Sequence, residues 1–180
     1  MGNGRTIEVT IDERRVTIRD FGRGIPLGKV LDCVSKINTG AKYDSKVFKK
    51  AVGLNGVGSK AVNALSSYFL TQSFRDDKTK IVEFTQGKLM RDEEEKAVGE
   101  KPGTLVIFEP DKEIFGNYHF INEYVEKLLW NYVFLNKGLS IKYNGERFYA
   151  KNDLLDLLDR NINGNGPVLY PIIHIEEGDL

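Results

Sequence analysis

The segment Arg15-Val16-Thr17-Ile18-Arg19-Asp20-Phe21-Gly22-Arg23-Gly24-Ile25-Pro26 decides how the chain is read. Val16 and Ile18 alternate with Thr17 and Arg19. The same period of two runs through Ile7, Val9 and Ile11, with Glu8 and Thr10 between them. Interrupted by Asp12-Glu13-Arg14, this pattern predicts an antiparallel hairpin whose second strand ends at Asp20. Asp20 to Pro26 then reads as a tight turn punctuated by Gly22 and Gly24. Beyond the turn, Leu27, Val30, Leu31, Val34 and Ile37 fall on one helical face. Cys33, beside that face, reads as a small core residue.

From Asn38 to Val52 the pattern dissolves into a polar, lysine-rich loop. Gly53 to Gly58 is glycine-rich, and helical character resumes from Ser59 to Ser66. Tyr68–Arg75, Thr79–Thr85 and Thr104–Glu109 read as strands, whereas the acidic run Asp92–Glu95 reads as a solvated loop. A long helix is expected from Phe120 to Leu135, with Tyr124, Trp130 and Tyr132 as core or interface residues. Strands Leu139–Tyr143 and Glu146–Ala150 are joined by Asn144-Gly145, a strong hairpin signal because both central residues need positive φ. A short helix, Leu154–Arg160, a linker Asn161–Gly166 and a final strand Val168–Ile175 complete the chain. Hairpin-linked strands with helices inserted between groups predict an α+β layer architecture.

Composition narrows the function classes. The chain has 180 residues, and its 26 Lys+Arg balance 26 Asp+Glu, so bulk charge supplies no basic footprint for nucleic acid. Cys33 is the single cysteine, which excludes an intramolecular disulfide. With only His119 and His174 beside it, no zinc ligand set emerges, and neither histidine is assigned a role. No apolar run reaches membrane-spanning length and no signal peptide is visible, so a cytoplasmic location away from membranes is expected.

Three glycine motifs compete for a nucleotide. Gly53 to Gly58 has the gap of a P-loop, but Ser59-Lys60 reverses the order that places the lysine. Gly56-Val57-Gly58-Ser59-Lys60-Ala61 fits a dinucleotide fingerprint, yet the charged stretch Asp44–Lys50 stands where a buried strand is required. The third reading joins distant pieces. A carboxylate at a strand end, Asp20, can accept a hydrogen bond from an amino group such as that of adenine. Gly22 and Gly24 let a flat ring approach the backbone. A glycine-rich loop opening a helix offers N–H groups to phosphates.

These pieces resemble the ATPase region of bacterial type II DNA topoisomerases, in the Bergerat superfamily that includes gyrase, histidine kinases and MutL. The resemblance rests on Asp20-Phe21-Gly22-Arg23-Gly24-Ile25-Pro26, Gly40-Ala41-Lys42-Tyr43-Asp44 and Gly53-Leu54-Asn55-Gly56-Val57-Gly58. Val62-Asn63-Ala64-Leu65-Ser66 and Gly103-Thr104-Leu105-Val106 extend it in the family's order over nearly the whole chain. The Gly53–Lys60 loop and the short Pro26–Gly40 interval look more like a topoisomerase IV B subunit than a gyrase B subunit, which is the alternative.

The resemblance implies a two-layer α/β sandwich of Bergerat type, with a mixed, mostly antiparallel sheet and helices on one face. Residues 1–169 would be the ATPase domain without its N-terminal helix, and 170–180 the first strand of a transducer domain. It implies that Asp20 accepts the adenine amino hydrogen, with Gly22 beside it and Thr104 helping through an ordered water. Gly24, Ile25 and Pro26 would wall the base pocket and Val106 would floor it. Lys42 would approach the phosphates, held by backbone amides of Gly53, Leu54, Asn55, Gly56, Val57 and Gly58. Arg23 and Arg75 would sit at the pocket mouth where inhibitors bind. ATP and Mg²⁺ would be the cofactors, and DNA, an A subunit and a second B subunit the partners.

The chain departs from the family at several points. Phe21 stands where a polar residue is common, Asn55 where gyrases carry His, Phe48 where Tyr is frequent, and Val52 where a glycine is usual. The Glu that activates water and the Asn that binds Mg²⁺ would lie on a helix before Met1. No catalytic residue and no metal ligand is therefore expected within the chain. The expectation is a parent ATPase that drives strand passage, relaxation and decatenation, and a 180-residue piece that is a nucleotide-binding module without hydrolysis.

Overall fold

The computed structural model describes residues 4–37, 56–162, 170 and 172–173. Among them, one eight-stranded sheet forms with β1 Thr6–Asp12, β2 Arg15–Asp20, β3 Ser66–Arg75, β4 Lys78–Thr85, β5 Lys88–Lys96, β6 Gly103–Pro110, β7 Ser140–Tyr143 and β8 Glu146–Tyr149. The strand order is β5-β4-β3-β6-β2-β1-β7-β8. The β1–β7 pair is parallel and every other pair is antiparallel, so the sheet is mixed as expected. Helices α1 Val30–Ser35 and α2 Gly58–Ala64 connect β2 to β3, α3 Lys112–Phe115 and α4 Asn122–Leu135 connect β6 to β7, and α5 Leu154–Ile162 follows β8. The hairpin turn between β7 and β8 has positive φ at Asn144 and Gly145, as that dipeptide demands.

Cross-strand register carries one apolar face through the sheet. Phe69 pairs with Phe84 and Phe108, Thr71 with Val82 and Val106, Ile18 with Val106, and Val9 with Ile18. Because paired residues point to the same side, all of these share a face. On one half of it, Val30 and Val34 of α1 pack on Phe69, Val82 and Phe84, with Val62 of α2 alongside. On the other half, Leu129, Val133 and Phe134 of α4 pack on Val9, Ile141 and Phe148. Two cores thus lie side by side beneath separate helix groups. The middle strands β6 and β2 run between them.

The structure corrects two expectations and leaves a third outside the described residues. The acidic run is not a loop, because Asp92–Glu95 lies in β5. Its charges alternate by face: Lys80 pairs with Asp92 at 2.7 Å and Lys78 with Glu94 at 3.1 Å, while Arg91 reaches Glu95 at 2.9 Å on the other side. A charged edge strand of this kind resists pairing with other chains. Tyr124 and Tyr132 are exposed rather than core residues, because the buried face of α4 is Leu129, Val133 and Phe134. The expected final strand, Val168–Ile175, and the boundary at 170 fall largely outside the described residues.

Candidate functional site

The turn after β2 is built by two close approaches of backbone to backbone. Gly24 has φ +72, and a Cβ there would stand 2.6 Å from the Phe74 carbonyl oxygen and 3.0 Å from Ser73 Oγ. The Ser73 hydroxyl, fully buried, donates to the Ile25 carbonyl at 2.7 Å and pins the turn to β3. Gly103, at the start of β6 with φ +140, is tighter still: a Cβ there would lie 2.1 Å from the Asp20 carbonyl oxygen. Both glycines are required by space as well as by dihedral angle. Asp20 closes the turn locally, its Oδ1 accepting from Gly22 N at 2.8 Å.

Arg19, which the sequence reading did not single out, braces the same point from the opposite face of the sheet. Its guanidinium donates to the Asp20 carbonyl at 2.7 Å and to the Lys101 carbonyl at 2.6 Å. It also lies 4.3 Å from the Phe74 ring centroid and 5.0 Å from that of Phe21. Burial draws its pKa down from the ordinary guanidinium value, against an opposing pull from the Asp20 carboxylate. The group stays charged across the working pH range. Phe21, read as an unusual replacement, thus takes part in a cation–π stack.

The register puts Asp20, half-buried, on the same sheet face as Ile18. Ile18 faces Val106 and Arg19 faces Leu105, so continuing the ladder brings Asp20 abreast of Thr104. Thr104 is itself paired with Ser73. One pleat repeat back from Asp20 and Thr104, a cavity of about 350 Å³ opens in the space between the two cores. Ile18 and Val106 line it from the sheet, and Ile25 from the turn. Phe69, Thr71 and Phe108 also contribute, with Cys33, Val34, Ser59 and Val62 from the two short helices. The wall is nearly all apolar, with a carboxylate and a hydroxyl-bearing residue at the strand ends beyond it.

The sequence-derived site residues are distributed as follows. Ile25 and Val106 are brought together on the cavity wall. Gly22 and Gly24 hold the turn that presents Asp20. Gly56, Val57 and Gly58 lead into α2, whose Ser59 reaches the cavity and donates to the Cys33 carbonyl at 3.3 Å. Arg75 shares a sheet face with Thr71 and Ser73 at the end of β3, where it contacts Asp76 at 3.3 Å. Pro26 and Arg23 are at the turn, both exposed. Lys42, Gly53, Leu54 and Asn55 lie outside the described residues. Cys33 is corrected from a core residue to a half-buried cavity residue.

Ile18, Ser59, Val62 and Thr71 were missed. Ile18 was within reach of the period-two rule, standing two residues before Asp20 on the same face. Thr71 is fully buried and its hydroxyl has no hydrogen-bond partner among the described residues. Thr71→Val removes that orphan while keeping its shape, and is expected to raise stability by about 1 kcal/mol. Urea unfolding midpoints of the two proteins check it.

No protein-family model matches the chain. It is 48% identical over its whole length to the B subunit of DNA topoisomerase 4 from Borreliella burgdorferi, spanning 30% of that protein. It is 34% identical over 97% of its length to the type 2 topoisomerase B subunit of Aquifex aeolicus, spanning 24% of it. To the B subunit of DNA gyrase from Thermus thermophilus it is 32% identical over 81% of its length. The chain therefore spans under a third of the curated relatives it matches. Its fold is similar to the crystal structure of the 43K ATPase domain of Thermus thermophilus gyrase B in complex with an aminocoumarin. That likeness has a TM-score of 0.74 and 26% identity, and covers 94% of this chain and 46% of the other.

Proposed function

The chain belongs to the type II DNA topoisomerase B-subunit family and corresponds to its ATP-binding domain, and from that premise we propose how its residues hold the nucleotide. The observation that carries the proposal is an apolar cavity walled by Ile18, Ile25 and Val106, with Asp20 two residues beyond Ile18 on the same strand face. Oδ1 is occupied by Gly22 N, so Oδ2 is the oxygen that accepts the adenine amino hydrogen. The Thr104 hydroxyl supports the same edge of the base. Ile25 and Pro26 cover one side of the ring, Val106 the floor, and Gly24 keeps the turn close enough to touch it. Gly53 to Gly58 give backbone amides to the phosphates and Lys42 gives them a cation, while Arg23 and Arg75 stand at the mouth.

The residues at the cavity fit an adenine ring: apolar walls, one acceptor at the rim, and glycines where a side chain would intrude. They do not supply a metal centre. Among the described residues no cluster of three His, Cys, Asp or Glu side chains is placed to hold a cation. Among the described residues no carboxylate lines the cavity either. Attack of water on a phosphate needs a base within hydrogen-bond reach of that water. We infer that the 180-residue chain binds ATP without turning it over. Magnesium-dependent phosphate release above that of an Asp20→Asn control would contradict this.

The parent protein is proposed to couple ATP capture to passage of one DNA duplex through another, together with an A subunit and a second B subunit, in the cytoplasm. Among the described residues no helix is long and apolar enough to cross a membrane. Residues 170–180 would open the transducer domain. The 48% identity to a topoisomerase 4 chain against 32% to a gyrase favours relaxation and decatenation over supercoiling. Supercoiling of relaxed plasmid by the complete heterotetramer would reverse that choice. Nucleotide binding itself is tested by calorimetric titration of the chain with a non-hydrolysable ATP analogue. A saturable heat is expected, and a flat titration would overturn the reading.

A further inference from the structure

The β2–β6 ladder ends at the Arg19–Leu105 pair, one residue short of Asp20. Past that last rung a side chain takes the Asp20 carbonyl. Arg19 Nη1 donates to it at 2.7 Å, and Nη2 of the same guanidinium donates to the Lys101 carbonyl at 2.6 Å. Two rings hold the guanidinium, Phe74 at 4.3 Å and Phe21 at 5.0 Å from their centroids. Gly103 leaves room for it, since a Cβ there would stand 2.6 Å from Nη1. Asp20 is thus fixed at both ends, its carbonyl by Arg19 and its Oδ1 by Gly22 N at 2.8 Å. With both ends tied, the direction of Oδ2 is set before any base arrives, so little order has to be gained on binding.

We propose that Arg19 is a positioning residue for base selectivity: by locking the peptide that follows Asp20, it aims Oδ2 at the amino group of a 6-aminopurine. The inference rests on the adenine reading of Asp20 and adds the residue that sets its aim. An arginine is needed for this. Its planar fork spans two carbonyls on separate segments and lies against aromatic rings, whereas a lysine offers one compact charge on a flexible stem. Arg15 is a comparison within the same strand. It shares the sheet face of Arg19, lies 5.4 Å from the Tyr68 ring centroid and pairs with Glu109 at 2.6 Å. It ties neighbouring strands together in the same manner, but at the opposite end of β2 from Asp20.

The test is calorimetric titration of the intact chain with a non-hydrolysable ATP analogue and with the same triphosphate of purine riboside, which lacks only the amino group. The parent should favour the adenine nucleotide by about 30-fold, the value of one hydrogen bond to a charged acceptor. In Arg19→Lys that ratio should fall to about fivefold, through weaker adenine binding, with purine binding kept within about twofold. Phe74→Leu removes one ring and keeps both hydrogen bonds. It should lower the ratio about threefold, which keeps the test available if Arg19→Lys does not fold. Arg15→Lys should keep the full ratio. An arginine that served stability alone would lower the melting temperature and weaken both nucleotides alike. That pattern in Arg19→Lys, or an equal fall of the ratio in Arg15→Lys, overturns the role of Arg19. A parent that does not distinguish the two nucleotides overturns the adenine reading, and this role with it.

Discussion

Gly103→Ala is expected to be the most damaging single substitution at the site, lowering stability by about 4 kcal/mol and the melting temperature by about 10 °C. Two effects add at this residue. Its φ of +140 is one that an L side chain rarely adopts, and the new Cβ would meet the Asp20 carbonyl oxygen at 2.1 Å. That neighbour is backbone, tied to Arg19 by a 2.7 Å hydrogen bond, so it cannot swing aside as a side-chain tip would. β6 would have to part from β2 at the point where Asp20 is presented. Thermal unfolding with circular dichroism measures the loss. A variant whose melting temperature matches the parent's would show that the strand ends do not meet as described.

Asp20→Asn is the second large effect, and it acts on binding alone. Asparagine tolerates the same turn, so the fold should survive with little change in stability. A carboxylate serves two donors with two oxygens: Gly22 N now, and the adenine amino group on binding. The amide has one oxygen and one NH₂, so whichever way it is turned one N–H donor faces another. Losing a charge-assisted hydrogen bond and gaining that repulsion should weaken nucleotide affinity by about 30-fold to 100-fold. Calorimetric titration of both proteins with the same ATP analogue decides it, and equal affinities would remove Asp20 from the site.

How much of this was legible in sequence depends on how far each residue's partners lie along the chain. The hairpin ending at Asp20 was readable because its alternation is local, and the turn because Gly22 and Gly24 mark it. The role of Arg19 was not. Its partners are Phe74 and the Lys101 carbonyl, which only the β2–β6–β3 pairing brings near. Cys33 and Thr71 were opaque for the same reason, since which side of a wall they line depends on strand order. β5 was misread because a run of like charges suggests solvent, whereas opposite charges on β4 and within β5 itself make an edge strand of it. Tyr124 and Tyr132 sit at helical spacing, but the apolar pattern of α4 has two candidate faces and tertiary packing selects the Leu129–Val133 side.

The most direct measurement is a crystal structure of the chain with a non-hydrolysable ATP analogue. The expected density places the adenine amino nitrogen within hydrogen-bond distance of Asp20, with the ring between Ile25 and Val106. Density for the base anywhere else, with the Asp20 carboxylate turned to bulk water, would contradict the assignment.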